Sequence, residues 1–464
     1  MSFTPPDRAS GRLPLLAVAL TSLGAFLVSL DVSVANAVLP AIGRSFSSAQ
    51  RQDLAWVITA YAIVFAAALV PGGRLADRAG RRRVFSWGLA VFAVGSAVCG
   101  IAVNLPMLLA GRLLQGAGAA AAQPASLGLL LAGIDSSRRA LLTARWFGAG
   151  ALGIGLGPLV GGVATDALNW RAAFLINVPL VVWALIFTPR ALRETEPHPG
   201  RSLPDPLGAL LLAAGAAALT LGITELSGWG AGDARTLGAL VAAAGLGSAF
   251  VWRCHTTSDP VLQLEMLRST HVAKVTLATL AYSAGFFGLL LTFVLFLTSV
   301  WGLSIVQAGL GITPMTLIVV VLSRRVGGLP ARVGFGPPLA AGAALIAAAL
   351  LLGALTAAGE TFRILWLAQV TVAGVGIGLC YPLLGAAAVS GLRPADLAAA
   401  TAINQCARQL GAALGVALCV AVLGSAVHVP AARFHLAWIV CAALCLLAAA
   451  CSATIHRPTV LAPS

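Results

Sequence analysis

The chain is cut into apolar stretches of bilayer length, and this constrains its fold more than any other feature. A membrane-spanning helix needs about 20 mostly apolar residues, with a range of about 17–25. Fourteen stretches meet that need, at 13–39, 54–73, 84–103, 106–132, 141–165, 171–189, 206–226, 235–252, 274–299, 304–323, 336–357, 363–390, 397–424 and 434–454. Only 9% of residues are charged, against about 25% in soluble domains. The expected fold is an all-α integral membrane protein with fourteen transmembrane helices, its core made against lipid.

The formal net charge of +14 raises the question of nucleic acid. The arginines instead lie in short clusters between apolar runs, where membrane topology places them. Nothing resembles a nucleic-acid-binding fold, and no nucleic-acid partner is expected. With the N-terminus inside, 22 Lys and Arg fall on the cytoplasmic side and 6 (Arg44, Arg51, Arg171, Arg235, Arg363 and Arg433) on the other, with Arg112 inside a span. That bias puts both termini in the cytoplasm of a multi-pass cell-membrane protein. Arg8 and Arg12 precede a first run much longer than the apolar core of a signal peptide, about 7–15 residues, so this run is expected to be retained. Trp170, Trp229, Trp252, Trp301 and Trp438 sit near span ends and read as interfacial anchors.

A weak repeat runs through the chain. Gly116-Ala-Gly118 precedes Gln123-Pro124 in span 4, and Gly374-Val-Gly376 precedes Tyr381-Pro382 in span 12 with the same Gly-to-Pro spacing. Leu152-Gly153 in span 5 is echoed by Leu414-Gly415 in span 13. The expected organisation is an N-terminal six-helix bundle (1–190), a linker with two inserted helices (191–273) and a C-terminal six-helix bundle (274–464). Two repeated halves around a midplane site are the architecture of many secondary transporters. The Pro-rich, charged segment from Thr188 to Pro206 reads as a cytoplasmic linker.

One acid stands out. Asp31 lies inside the first span, in AVALTSLGAFLVSLDVSVANAVLP. A carboxylate at such depth is expensive, so it usually faces a bundle interior or a water-filled cavity. Counting inward from Pro40 and Pro106 at about 1.5 Å per residue puts Asp31 and Arg112 both roughly 9–14 Å below the outer boundary. They can meet in one cavity. A carboxylate balanced between desolvation and a nearby cation can trade a proton for a substrate; a static ion pair that neutralises two buried charges is the other reading. Glu225, near the outer end of span 7, is an accessory acid or a solvated helix end. All six histidines fall in loops or at span ends, which argues against a histidine relay.

The stretch from Gly73 to Arg83, GRLADRAGRRR, joins spans 2 and 3. Asp77 and its flanking glycines exceed what orientation requires. Gly153, Gly157 and Gly161 recur every four residues in span 5, beside Pro158 and Gly162, and let a neighbouring helix approach closely. No phosphate cradle precedes the chain's one lysine, Lys274. Seven of the eight cysteines fall in spans and Cys254 in a loop. They read as small core residues, with no metal site and no cofactor expected.

These motifs resemble the major facilitator superfamily, in particular its fourteen-span drug/proton antiporters. Residues 73–85 are similar to its signature loop; LAGRLLQGAG (109–118) to its span-4 motif; GIGLGPLVGG (153–162) to its antiporter motif; LDVSVANAVLP, WRAAFLINVP (170–179) and NQCARQLGAALG (404–415) to further family patterns. The resemblance implies proton-coupled export of amphipathic drugs or antibiotics by alternating access, carried by a monomer. It implies proton coupling at Asp31 and Arg112, a cytoplasmic gate at Gly73, Asp77, Arg78, Gly80 and Arg82, and a pliable seam at Gly153, Gly157, Pro158, Gly161 and Gly162. The second-half counterpart of the signature loop, SRRVGGLPARVGFG (323–336), lacks its acid. The polar residues expected in the cavity are Asn36, Gln115, Gln123, Asn177, Tyr381 and Gln405, with Asp31 and Arg112. A proton symporter importing a small metabolite and a non-transporting membrane sensor are the rival readings. An enzyme is disfavoured, because no carboxylate or histidine cluster has metal or nucleophile spacing.

Overall fold

A computed structural model describes residues 15–132, 136–196, 205–323, 325–355, 360–392, 396–424 and 429–455. Arg8, Arg12, Arg324 and the centre of the Thr188–Pro206 linker lie outside the described residues. The α-helices are α1 (Leu15–Ser45), α2 (Arg51–Ala79), α3 (Arg81–Gly100), α4 (Leu105–Leu131), α5 (Ser136–Ala167), α6 (Trp170–Leu175), α7 (Asn177–Ala191), α8 (Pro206–Thr224), α9 (Ala234–Thr256), α10 (Thr270–Ser299), α11 (Ile305–Ser323), α12 (Leu329–Val333), α13 (Gly336–Leu355), α14 (Glu360–Val389), α15 (Leu397–Leu423) and α16 (Ala431–Ala453).

Among the described residues, thirteen helical segments are long and apolar enough to cross a membrane. One of them, Trp170–Ala191, comprises α6 and α7 with a break at Ile176. The stretch expected at 106–132 is α4, 27 residues long but not one of the thirteen. Arg112, Gln115 and Gln123 lower its hydropathy, and all three are buried.

Local chemistry sets the helix starts. The Asn104 side chain accepts from the Met107 amide at 2.9 Å, with Pro106 in the first turn. Asn169 caps α6 and Asp233 caps α9 in the same way. Such caps satisfy amides that a helix leaves without intrahelical partners. Between α2 and α3 the chain turns at Gly80, where φ is +101°, a region open to glycine and strained for other residues.

The helices pack as two sets with matching neighbours. In the first, α4 lies against both α2 and α3, and α5 against α1; in the second, α14 lies against both α11 and α13, and α15 against α10. Across the sets, α5 packs on α11 and α15 on α2. The echoed glycines occupy equivalent contacts. Gly116 abuts the Tyr61 backbone of α2 and Gly118 abuts Phe92 of α3, while Gly374 abuts Met315 of α11 and Gly376 abuts Gly342 of α13.

Helices α8 and α9 form a hairpin, with α8 touching α2 and α15 and α9 almost wholly exposed on its far side. Asp205 ties the hairpin together. It caps α8 through the Leu207 amide at 3.1 Å and takes Arg253 Nε and Nη2 at 2.6 and 2.9 Å.

Several expectations need correction. Cys254 lies in α9 and is buried, not in a loop. Trp438 is fully buried, donating to Thr292 Oγ1 at 3.1 Å and packed against Phe293 and Phe296, so it is a core residue. Trp170 is also buried. Arg408, counted above among the cytoplasmic charges, is buried in α15.

The bidentate bond from Arg253 holds the Asp205 carboxyl below the usual carboxylate range. A depressed native pKa stabilises the fold above the unfolded value, about 3.9, and that stabilisation is lost as pH falls through the native value. Asp205→Asn keeps a cap-competent side chain but loses the charge of the Arg253 pair, and is expected to lose about 1 kcal/mol at pH 7. The difference from the native protein should shrink below about pH 4. Thermal unfolding in detergent across pH checks both; a pH-independent difference contradicts the assignment.

Candidate functional site

Four helices converge on Asp31. It lies mid-way along α1 and is 1% exposed, and Arg112 of α4 is 0% exposed. Arg112 Nη1 donates to Asp31 Oδ2 in a buried ion pair. Gln115, one turn along α4, donates Nε2 to Asp31 Oδ1 at 2.7 Å and accepts Arg112 Nη1 on Oε1 at 2.8 Å. Asn177, in the first turn of α7 just after the break at Ile176, donates Nδ2 to the same Oδ1 at 3.1 Å. Ser96 of α3 accepts from Gln115 at 2.8 Å and from Asn177 at 3.4 Å. Each group touching the Asp31 oxygens is a donor, which suits a carboxylate as an acceptor-only group.

Arg112 is held from its other sides too. Its Nε donates to the Val57 carbonyl of α2 at 2.6 Å, and its guanidinium lies over the Tyr61 ring, 4.4 Å from the centroid. Phe174 of α6 is 5.8 Å away on a further side. Nη2 is left without a hydrogen-bond partner among the described residues. Desolvating two ions is costly, and only good geometry and further hydrogen bonds offset it; this site has both.

A separate cavity of ≈ 40 Å³ sits between the two helix sets, room for about one water. Val28 and Val32 of α1, Gln123 of α4, Trp146 and Phe147 of α5, Tyr381 of α14, and Gln405 and Arg408 of α15 are in its wall. Gln405 Nε2 donates across the sets to Gln123 Oε1 at 3.3 Å.

The polar residues expected in one cavity thus divide. Gln123, Tyr381 and Gln405 line it; Gln115 and Asn177 hold Asp31; Asn36 donates within α1 to the Val32 carbonyl at 2.9 Å. Ser96 and Arg408 were not anticipated. Ser96 sits in a glycine-rich span with nothing to mark it. Arg408 is a basic residue well inside an apolar stretch, the same signal that marks Arg112. Glu225 lies in a one-turn 3-10 segment after α8, in the field of Asp53 and Arg235.

At the α2–α3 turn, Asp77 Oδ1 accepts Arg81 Nε and Nη2 at 3.1 and 3.0 Å, and Arg81 Nη1 reaches the Gly128 carbonyl of α4 at 3.0 Å. Glu194, past the end of α7, caps α3 through the Arg82 and Arg83 amides at 2.9 and 3.1 Å and lies 3.8 Å from Arg82 Nε. A Cβ on Gly80 would stand 2.7 Å from that carboxylate. Arg78 is exposed, and Gly73 faces Pro124 at ordinary contact distance.

The span-5 glycines make a true close approach. A Cβ on Gly153 would lie 2.4 Å from the Phe26 carbonyl oxygen, and one on Gly157 would lie 2.3 Å from Ser33 Cβ; Gly161 faces Val38 of the same helix. Gly162 and Pro158 face α11 instead, at Ile305 and Gly309. Gly415 is packed on Ala284 of α10 as Gly153 is packed on α1.

A family model described as the Major Facilitator Superfamily matches residues 21–416. The "Tetracenomycin C resistance and export protein" of Streptomyces glaucescens is 30% identical over 415 residues, which cover 89% of this chain and 76% of that one. "Multidrug resistance protein Stp" of Mycobacterium tuberculosis (strain CDC 1551 / Oshkosh) is 30% identical over 403 residues, 86% of this chain and 74% of that one. Among solved structures, the human organic anion transporter MFSD10 (TETRAN) has the same fold, with a TM-score of 0.65, 18% identity, and coverage of 97% of this chain and 100% of that one.

Breaking a buried pair by removing one partner costs about 3–5 kcal/mol. Asp31→Asn and Arg112→Gln are each expected to destabilise the protein by that order in detergent unfolding at pH 7. The double variant is expected to lose clearly less than the sum, because the two share one interaction. Additive losses contradict the pairing.

Proposed function

The chain belongs to the Major Facilitator Superfamily, and on that premise we propose that it is a proton-coupled antiporter that exports amphipathic drugs or antibiotics from the cytoplasm by alternating access. The names of its relatives, an antibiotic export protein and a multidrug resistance protein, support the substrate class. The membrane topology in this reading is fourteen spans with both termini cytoplasmic, in two six-helix bundles that flank the α8–α9 pair. The matched packing of α1–α7 and α10–α16 supports the two bundles.

One observation carries the coupling: α1 holds the buried carboxylate and also forms part of the cavity wall. At about 100° per residue, Asp31 lies on one face of α1, Ala25, Val28, Ser29 and Val32 on a second, and Phe26, Leu30 and Ser33 on a third. The second lines the cavity and the third meets the glycines of α5. In the cycle, a proton from outside neutralises Asp31 and removes the charge that holds Arg112. Helix α1 is then freer to shift against α4 and α7, and it moves the cavity wall with it along the α5 seam. Substrate leaves outward; the proton leaves inward before substrate binds again. In this reading the Asp77–Arg81 and Glu194–Arg82 contacts belong to the cytoplasmic gate. Moving one charge through 100 mV is worth about 2.3 kcal/mol, so one proton sustains a roughly 50-fold gradient of a neutral substrate.

Proteoliposomes with an imposed pH gradient test the reading. Lipophilic dyes and antibiotics would be followed with native protein and with Asp31→Asn. Gradient-driven movement is expected for native protein and should fall to background in the variant. Transport that survives in Asp31→Asn removes the proton from that residue, and native transport indifferent to the gradient removes antiport.

A further inference from the structure

Among the described residues, two arginines are buried in the bundle, and their surroundings differ. Arg112 has a carboxylate. Arg408 is 8% exposed, and its Nε and Nη2 have no hydrogen-bond partner among the described residues. Its guanidinium lies over the Tyr381 ring, 4.5 Å from the centroid, at the wall of the cavity between the helix sets. Among the described residues, no Asp or Glu lines this cavity. A cation left this way inside a membrane protein is expensive, and such residues mark substrate and ion paths. The open donors of a guanidinium form a planar fork that matches an anionic oxygen pair.

Apolar and aromatic groups stand beside the charge. Trp146 and Phe147 meet edge to face, with ring centroids 5.0 Å apart, in the same wall. Gln405 Oε1 is also buried without a partner, ready to accept from a hydroxyl or amide.

We propose that Arg408 is the docking point for the anionic group of an amphipathic aromatic acid, so that this exporter carries organic anions in preference to lipophilic cations. The proposal rests on the export reading above and names its substrate class. The carboxylate, phenolate or sulfonate of the substrate takes the open donors of Arg408, and its ring lies against Trp146 and Phe147. The positive cavity repels a cation of the same shape. At ≈ 40 Å³ the cavity is too small for such a molecule, and the two helix sets must part to admit it.

The test separates binding from transport. Purified full-length protein in detergent would be titrated by equilibrium dialysis with radiolabelled 1-naphthoate and, separately, with a naphthylmethyl-trimethylammonium cation. Native protein is expected to bind the naphthoate at least tenfold more tightly than the cation. Arg408→Gln should lose at least tenfold in naphthoate affinity and none for the cation, and Arg408→Lys should keep part of the naphthoate binding. Monodisperse elution and an unchanged unfolding temperature would show that the variants are folded. Preference of native protein for the cation, or equal naphthoate binding by native and Arg408→Gln, overturns the proposal. In proteoliposomes, gradient-driven export of the cation but not of the naphthoate also overturns it, while leaving proton-coupled export intact. Arg408-dependent naphthoate binding with no gradient-driven movement of either probe supports the anion site and removes the export reading alone.

Discussion

A carboxylate and a guanidinium shut away from water in a membrane protein govern much of this architecture. Neither ion is tolerable there alone. The pair requires α1 and α4 to meet at one depth, and the side chains that complete it come from elsewhere: Gln115 one turn along α4, Asn177 at the start of α7, Ser96 on α3, and the Val57 carbonyl on α2. The break between α6 and α7 at Ile176 places Asn177 in a first helical turn beside Asp31. Five helices of the first set are thereby tied to one oxygen pair and its counter-ion.

Small residues make the remaining geometry possible. Without a hydrophobic force between helices in lipid, association depends on close packing. The backbones of α1 and α5 come together at Gly153 and Gly157, and those of α10 and α15 at Gly411 and Gly415. Such contacts are tight yet carry few interlocking side chains, which suits surfaces that slide. The seams border the helices that line the cavity, α1 with α5 in one set and α10 with α15 in the other.

The helices were largely legible in the sequence because the demand on a spanning segment is simple: length and apolarity. The meeting of Asp31 with Arg112 was legible from depth alone, since prolines marked the span ends. Other parts were not. Ser96 matters through hydrogen bonds from residues on two other helices, and a serine in an apolar run carries no signal of its own. Arg408 was absorbed into a count of loop charges although it lies well inside the 397–424 stretch, because a charge tally assigns each basic residue to one side of the membrane or the other. Its burial depends on how α15 faces α14 and the cavity. Glu194 follows α7 in a polar stretch, and only the folded turn brings it to the start of α3. Trp438 sits near a span end yet fills the core, because α16 packs against α10 there. The cavity residues were grouped as one polar set; the twist of α1 and α4 sends Gln115 towards Asp31 and Gln123 towards the far helices.

The central claim is that Asp31 exchanges its proton in step with substrate. Proton release tests it most directly, in purified protein in weakly buffered detergent over a series of starting pH values, with a pH indicator present while substrate is added. The account predicts a burst of protons from native protein when substrate binds, and none from Asp31→Asn at saturating substrate. An equal burst from Asp31→Asn would contradict it, placing the coupled proton on another group.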